Sequence, residues 1–361
     1  MKKIIEFIKD KSYYFLGATL LIIVLLLILS SCSSKKASSY EQIENNMITA
    51  TKKYYEQNKS KLPKENNNSV MVNISTLVEQ GLMKEVYGPK NKENKCSGYV
   101  EVTKVDNSYV YTPFLTCKGS YEPRYLTDII KESKLDEYGN GVYTMDGQYV
   151  YRGDDVKNYV KFNDQLWRIL KVNKDGNIDL LLDDYLEDKY SFDESYNTDT
   201  DDTDGVTTNY MLTKIHKVLE GYYKTNFKED SKSKMTTKTL CTSGVLEEDN
   251  INYQKECEKT LENQKIGLLT VSEYANASLD GACLKTISKE CMNRNYISNY
   301  DKTFWLLTPN SLYTNKVYLV YKYISDTKAY RNNAVKPVIY LNSKNVVSSG
   351  DGSLDKPYIL K

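Results

Sequence analysis

The chain has 361 residues, with 49 lysines and arginines against 48 aspartates and glutamates, and a single histidine. A net charge of +1 offers no basic face to nucleic acid, whose binding rests on neutralising phosphates. One histidine is too few for a Ser/His/Asp triad and a histidine metal site together, and the 33 tyrosines rise with lysine, asparagine and isoleucine as an AT-rich coding sequence would produce.

Residues 1–32 read as a signal peptide or membrane anchor. Seventeen uncharged residues run from Tyr13 to Leu29 behind Lys2, Lys3, Lys9 and Lys11. As a helix they would extend about 26 Å, enough for the hydrocarbon layer. The lysine excess places the N-terminus in the cytoplasm and residues 33–361 on the outer face of the cell membrane. Leu29-Ser30-Ser31-Cys32 resembles the lipobox of bacterial lipoproteins, which implies a diacylglyceryl group on Cys32. An uncleaved transmembrane helix is the alternative reading, and either one anchors the chain.

Beyond the anchor, Ile43, Met47, Ala50, Tyr54 and Tyr55 recur at helical spacing up to Pro63. Val70–Ile74 alternates like a strand, and Ser75 is placed to cap a short helix that Gly81 stops. Cys96 and Cys117 lie symmetrically about a turn at Asp106-Asn107, so equal arms of a hairpin bring the two thiols opposite each other. This series, with "ATKKYYEQNKSKLP", "ISTLVEQGLMKEVYGP" and "CSGYVEVT", resembles the pilin-like and pseudopilin-like proteins of Gram-positive bacteria. The resemblance implies a small pilin-like α+β unit over 33–130. Ile22, five residues after Gly17, stands where that family carries a docking glutamate, which implies a stalk that does not assemble into a pilus.

A polar stretch, 131–144, reads as a linker. From 145 to 361 the pattern becomes short strands and tight turns: Tyr149–Tyr151, Tyr159–Phe162, Leu166–Val172 and Asn177–Leu182 form successive hairpins. Asp183–Asp204 carries ten acids against Lys189. An EF-hand register built on Gly205 would put Thr200 and Met211 at ligand positions, so this run reads as a solvated loop. Tyr210–Phe227 has a helical apolar face with His216 beside it. Residues 234–260 form a polar insertion around Cys241 and Cys257, and local pairing joins Cys241 to Cys257 and Cys283 to Cys291 in an oxidising compartment. No Cys-x-x-Cys occurs, so no zinc site, other metal or cofactor is expected. Thr270-Val-Ser-Glu273 reads as a capping box, and Phe304–Pro309, Val317–Tyr321 and Pro337–Leu341 supply closing strands.

"NYVKFNDQLWRILKV", "IGLLTVSEYANAS", "FWLLTP", "AVKPVIYLNS" and "SSGDGSLDKPYIL" together resemble an uncharacterised family of bacterial extracellular domains with a C-type-lectin-like fold, shared with formylglycine-generating enzymes. Ala334-Val-Lys-Pro337 replaces that family's Gly-Val-Arg-Pro. The expected fold class is therefore α+β throughout: an anchoring helix, a pilin-like unit and a lectin-like domain of short antiparallel strands.

No nucleophile elbow, His-Glu-x-x-His or phosphate loop is present. The expected function is a non-catalytic ligand-binding or adhesion module on the surface of a Gram-positive bacterium. The alternative is a structural or assembly component of the envelope, with an envelope enzyme behind both. Two segments around the strand 316–323 carry the chemistry for a ligand. Tyr313 and Tyr330 are stacking surfaces, Asn310, Asn332 and Asn333 are donors and acceptors, and Arg331 is a fork for a carboxylate or phosphate. Such a face suits a cell-wall or host glycan or a surface protein.

Overall fold

A computed structural model describes residues 39–65, 68–89, 91–105, 107–194, 209–246, 253–283, 289–298, 301–321 and 323–361. The apolar stretch from Tyr13, Cys32, Asp106 and the acidic residues 195–204 lie outside the described residues. Among the described residues no helix is long and apolar enough to cross a membrane. They are also mostly β, with 22 strands and, apart from helices of 19 and 13 residues, only short helices. This corrects the α+β expectation. The physical reason is that β-branched and aromatic segments between tight turns make up most of the ordered chain, with a few helices packed against them.

The chain divides into two compact units, the first running to Lys104 with Tyr111–Glu122 and the second holding Val105–Val110 and Pro123–Lys361. In the first, helix α1 (Ser39–Gln57) buries Met47, Ala50, Thr51 and Tyr55, a single face at helical spacing. Strand β1 (Ser69–Asn73) leads into α2 (Ile74–Glu79), then the small strands β2 (Tyr87–Gly88) and β3 (Asn91–Lys95) and the long hairpin β4 (Ser97–Val105) and β5 (Ser108–Thr116). Helix α2 starts one residue earlier than the cap expected at Ser75. The antiparallel sheet β1-β4-β5 sends Val72, Val100, Val102 and Leu115 inward. Cys96 and Cys117, just beyond the arms of the hairpin, are disulfide-bonded as the symmetry predicts.

In the second unit β6 (Arg124–Tyr125) and α3 (Leu126–Lys131) come first, and Leu126 and Ile130 enter its core. The residues expected as a linker thus fall inside this unit. The hairpin β7 (Gly141–Met145) and β8 (Gln148–Arg152) follows, then β9 (Tyr159–Phe162), β10 (Gln165–Val172), β11 (Ile178–Leu182) and the two-residue β12 (Tyr190–Ser191). Helices α4 (Lys214–Asn226) and α5 (Glu229–Ser233) precede β13 (Lys238–Cys241), α6 (Tyr253–Glu256), β14 (Thr260–Gln264), β15 (Ile266–Gly267) and α7 (Val271–Asn276). The chain closes with β16 (Phe304–Pro309), β17 (Lys316–Tyr321), β18 (Tyr323–Lys328), β19 (Asn332–Asn333), β20 (Val338–Leu341), β21 (Val346–Ser349) and β22 (Tyr358–Leu360).

The main sheet runs β15-β20-β11-β10-β9-β22-β21-β6, and β8 adds to β10 and carries β7. Pairing is antiparallel except where the C-terminal β22 lies parallel to β9. A separate sheet orders β16-β17-β18. The core between these layers holds Trp167, Ile169, Leu180, Phe304, Trp305 and Ile339, each at most 1% exposed. Gly153 must lack a side chain: its φ is +123°, and a Cβ there would fall 2.1 Å from the Asn140 amide oxygen.

β10 is buried from Trp167 to Val172, so Arg168 and Lys171, on either side of a register shift between Ile169 and Lys171, are both buried in a sheet covered on its two faces. Arg168 is held by Asn158 and the Tyr159 hydroxyl and lies 3.9 Å from the Tyr159 ring centre and 4.8 Å from that of Tyr296. Lys171 joins a four-charge lattice. Its ammonium lies 2.9 Å from Glu273 and 3.7 Å from Asp179, while Lys238 reaches the same two carboxylates at 3.1 and 2.5 Å. Glu273 also completes the capping box with Thr270 that the sequence predicts. Burial opposes the charge on Glu273, but Lys171 and Lys238 outweigh it and hold the carboxyl well below its usual range. Burial likewise opposes charge on Lys238, and Asp179 and Glu273 hold it well above.

Lys238→Met should cost about 3–5 kcal/mol, because it leaves buried carboxylates short of a cation. Adding Asp179→Leu should recover most of that loss, since the Lys171–Glu273 pair then stands alone and balanced. Both tryptophans, Trp167 and Trp305, lie in the second unit, so urea unfolding followed by their fluorescence reads it directly. The lowered Glu273 means its contribution is complete above about pH 4.5, the carboxyl's ordinary value, and fades as pH falls through the folded-state value.

Candidate functional site

The β17–β18 hairpin pairs Lys316 with Lys328 at its open end and Tyr321 with Tyr323 at its turn. The sequence suggests one strand, 316–323, between the non-strand segments 309–315 and 324–333; instead 316–321 and 323–328 form this hairpin, and the remaining loop residues, 310–315 and 329–333, leave it at the same end. They are tied there, for the Ala329 amide donates to Asn315 O at 2.9 Å and the Asn310 amide to Lys316 O at 3.0 Å.

Of the expected ligand residues, Asn310 is turned inward. Its amide group donates to Asp326 at 2.7 Å, and its side-chain oxygen accepts the Leu312 and Tyr313 amides at 2.9 and 3.1 Å. It shapes the loop and has little left for a ligand. Tyr313 and Tyr330 point outward at 50% and 57% exposure, and Arg331 and Asn332 are exposed beside them. Asn333 pairs through its backbone with Tyr190 in the β12–β19 ladder. The sequence reading did not include Leu312, which is 65% exposed, nor two lysines that flank the rings. Lys316 lies 4.5 Å from the Tyr313 ring centre and 3.3 Å from Asp326, and Lys328 lies 5.7 Å from the Tyr330 ring centre. A lysine three positions from a tyrosine on one side and two on the other was the available signal, but only the hairpin register brings both pairs together.

Three supports hold the face rigid. The expected insertion 234–260 is no free excursion: Gly244 packs so closely under the loop that a Cβ would meet Ser311 backbone at 3.0 Å, and Val245 exchanges backbone bonds with Pro309 and Ser311. Its Cys241–Cys257 bond closes it on itself, and the neighbouring Glu256, which accepts from the Thr308 hydroxyl at 2.6 Å, fastens it to β16. Burial raises the Glu256 carboxyl, against the hydrogen bonds from Ser272 and Thr308. From the other side, Phe192 and Asp193 donate to Ala329 O, and the Trp305 indole donates to Tyr190 O at 2.8 Å.

The third support is Lys336, the basic residue of the Ala334–Pro337 motif. It is buried, donates to Asp183 O at 2.8 Å and Asp184 O at 3.1 Å, and lies 4.6 Å from the Tyr185 ring centre. It thus clamps the chain where the acidic run begins, just before β12. Two described acids of that run are paired, Asp183 facing Arg168 at 3.8 Å and Glu194 meeting Lys214, and no group of three or more potential metal ligands occurs among the described residues. His216 meets Gln264 at 3.0 Å and packs edge-on to Tyr210, a structural placement. The remaining pair, Cys283 and Cys291, is bonded as expected, and Cys32 lies outside the described residues.

No family model matches this chain, and neither a curated protein nor a solved structure resembles it.

Burial pushes Lys336 down to about 7 from an ordinary 10.5, with Asp183 and Asp184 opposing the shift. The unfolded chain holds its proton over that interval and the folded chain does not, so this group makes stability rise with pH from about 7 towards 10.5. The stability difference between wild type and Lys336→Met should grow by up to about 1.4 kcal/mol per pH unit over that window. A difference that stays flat in urea titrations from pH 7 to 10 would contradict the assignment.

Proposed function

We propose that the protein is a membrane-anchored binding or adhesion module on the outer face of the cell membrane, and that the open end of the β17–β18 hairpin is its ligand face. The observation that carries this reading is the grouping of Leu312, Tyr313 and Tyr330, each at least half exposed, on short tied segments over a buried core. Exposed apolar side chains gathered in one place mark interaction surfaces. Lys328 and Arg331 add positive charge around the rings, Lys316 being paired with Asp326, and flat rings beside cations suit a sugar that carries a carboxylate or phosphate. A cell-wall or host glycan has that chemistry. The face needs no metal or cofactor to bind such a ligand, and nothing in it is arranged for nucleophilic attack.

In an array of acidic and neutral glycans, the full chain should bind acidic members. Tyr330→Ala combined with Arg331→Ala should weaken that binding by roughly a hundredfold or more, the loss of a stacking surface and a charged fork together. Its unfolding midpoint should not move, because both side chains are exposed. Equal binding by the double variant would remove the face from consideration.

The anchoring part of the proposal rests on Tyr13–Leu29 and Cys32. Metabolic labelling with a fatty acid should mark the wild type and not Cys32→Ser. If neither is labelled while the protein stays in the membrane fraction, the apolar run holds it as an uncleaved helix.

A further inference from the structure

The first unit has its own concave surface, unrelated to the hairpin face. A groove of about 470 Å³ runs between α1 and the segment 82–87. One wall is a stripe of α1 from Ile43 through Asn46 and Thr49 to Lys53, whose ends lie about 15 Å apart along the axis, nearly three helical turns. Its floor is apolar, made by Ile43, Ala50, Leu82, Met83 and Val86.

The facing wall is fixed in place. The amides of Leu82 and Met83 donate to Leu77 O, and the Cys96 amide donates to Val86 O at 2.9 Å, next to the Cys96–Cys117 bond. A preformed wall spares an incoming chain the cost of ordering it.

The rim has a definite sign. Glu85, its one acid, is already neutralised: Lys95 lies 2.5 Å away and the Tyr87 hydroxyl donates to it at 2.7 Å. Those hydrogen bonds, that from Lys95 first, hold the Glu85 carboxyl below its usual range. The cations Lys53 and Lys84 stand exposed on opposite walls.

From this geometry we infer that the groove docks an amphipathic helix of another protein, two to three turns long, with an apolar stripe and acidic flanks. Length, apolar floor and net positive rim each match one property of such a helix. A peptide with flexible polar side chains would leave the floor in water, and a basic helix would set like charges against Lys53 and Lys84.

The test uses the full chain and two labelled peptides of the same leucine spacing, one flanked by glutamate and one by lysine, read by fluorescence anisotropy. The glutamate peptide should bind at about 100 µM or tighter and the lysine peptide at least about tenfold more weakly. Thr49→Trp, at an exposed position on the groove wall, should abolish binding of the glutamate peptide. Lys53→Glu with Lys84→Glu, which alters two exposed side chains, should reverse the preference and does so independently of whether the tryptophan variant folds. Binding of neither peptide, equal binding of both, or a preference that survives the charge reversal would overturn the inference. So would sedimentation showing a dimer that Thr49→Trp disrupts, since the groove would then hold a second copy of the chain.

Discussion

The second unit depends on a lattice of two buried carboxylates and two lysines, Lys171 buried and Lys238 largely so. Lys171 comes from β10, Asp179 from β11, Lys238 from β13 and Glu273 from the first turn of α7. The β10–β11 hairpin, β13 and α7, three parts of the chain well separated in sequence, are thereby joined at one point. A single buried ion pair is often no better than an apolar pair of the same size. Here the alternating square gives each charge two opposite neighbours, and Glu273 also caps its own helix, so removing any one member leaves the others uncompensated. The lattice fixes how the β13–β14 hairpin and α7 sit on the main sheet, a specification that apolar packing alone makes less sharply.

That placement propagates to the surface. The Val271 amide of α7 donates to the Thr308 hydroxyl, which in turn donates to Glu256, so the lattice, the disulfide-bound insertion and β16 form one connected body. β16 leads directly into the loop shaped by Asn310, and Gly244 and Val245 support that loop from below. The exposed side chains of Leu312, Tyr313 and Tyr330 therefore stand on backbone that is tied on several sides. A rigid platform with a few exposed aromatic and cationic side chains loses little conformational entropy on binding.

What the sequence disclosed and what it hid follow from the range of the interactions involved. The capping box at Thr270–Glu273, the symmetric cystine of Cys96 and Cys117 and the two local cystines were legible, because each depends on residues close together in the chain. The strands β9, β10 and β11 were also legible from their β-branched and aromatic runs between turn residues. The overall class was not. The α+β expectation came from resemblance, whereas the described residues are mostly strands, including pairs such as β12 and β19 that are two residues long and form only through tertiary contact. The burial of Lys171 and Arg168 in β10 was not legible either, since nothing local announces that a strand is covered on both faces. Asn310 read as a ligand residue because its chemistry fits, and only the neighbouring Asp326, sixteen positions away across the hairpin, shows where that amide is used. The candidate face was half legible: the sequence supplied the rings and the fork, and the register of β17 with β18 supplied their meeting place.

The proposed ligand face is the open end of the β17–β18 hairpin in the second unit. Hydroxyl-radical footprinting of the full chain, with and without acidic cell-wall glycan fragments, tests it residue by residue. Protection should concentrate at Leu312, Tyr313 and Tyr330, while the exposed Tyr138 and Tyr321 remain reactive. Protection at Tyr138 or Tyr321 with none at Tyr313 and Tyr330 would contradict it.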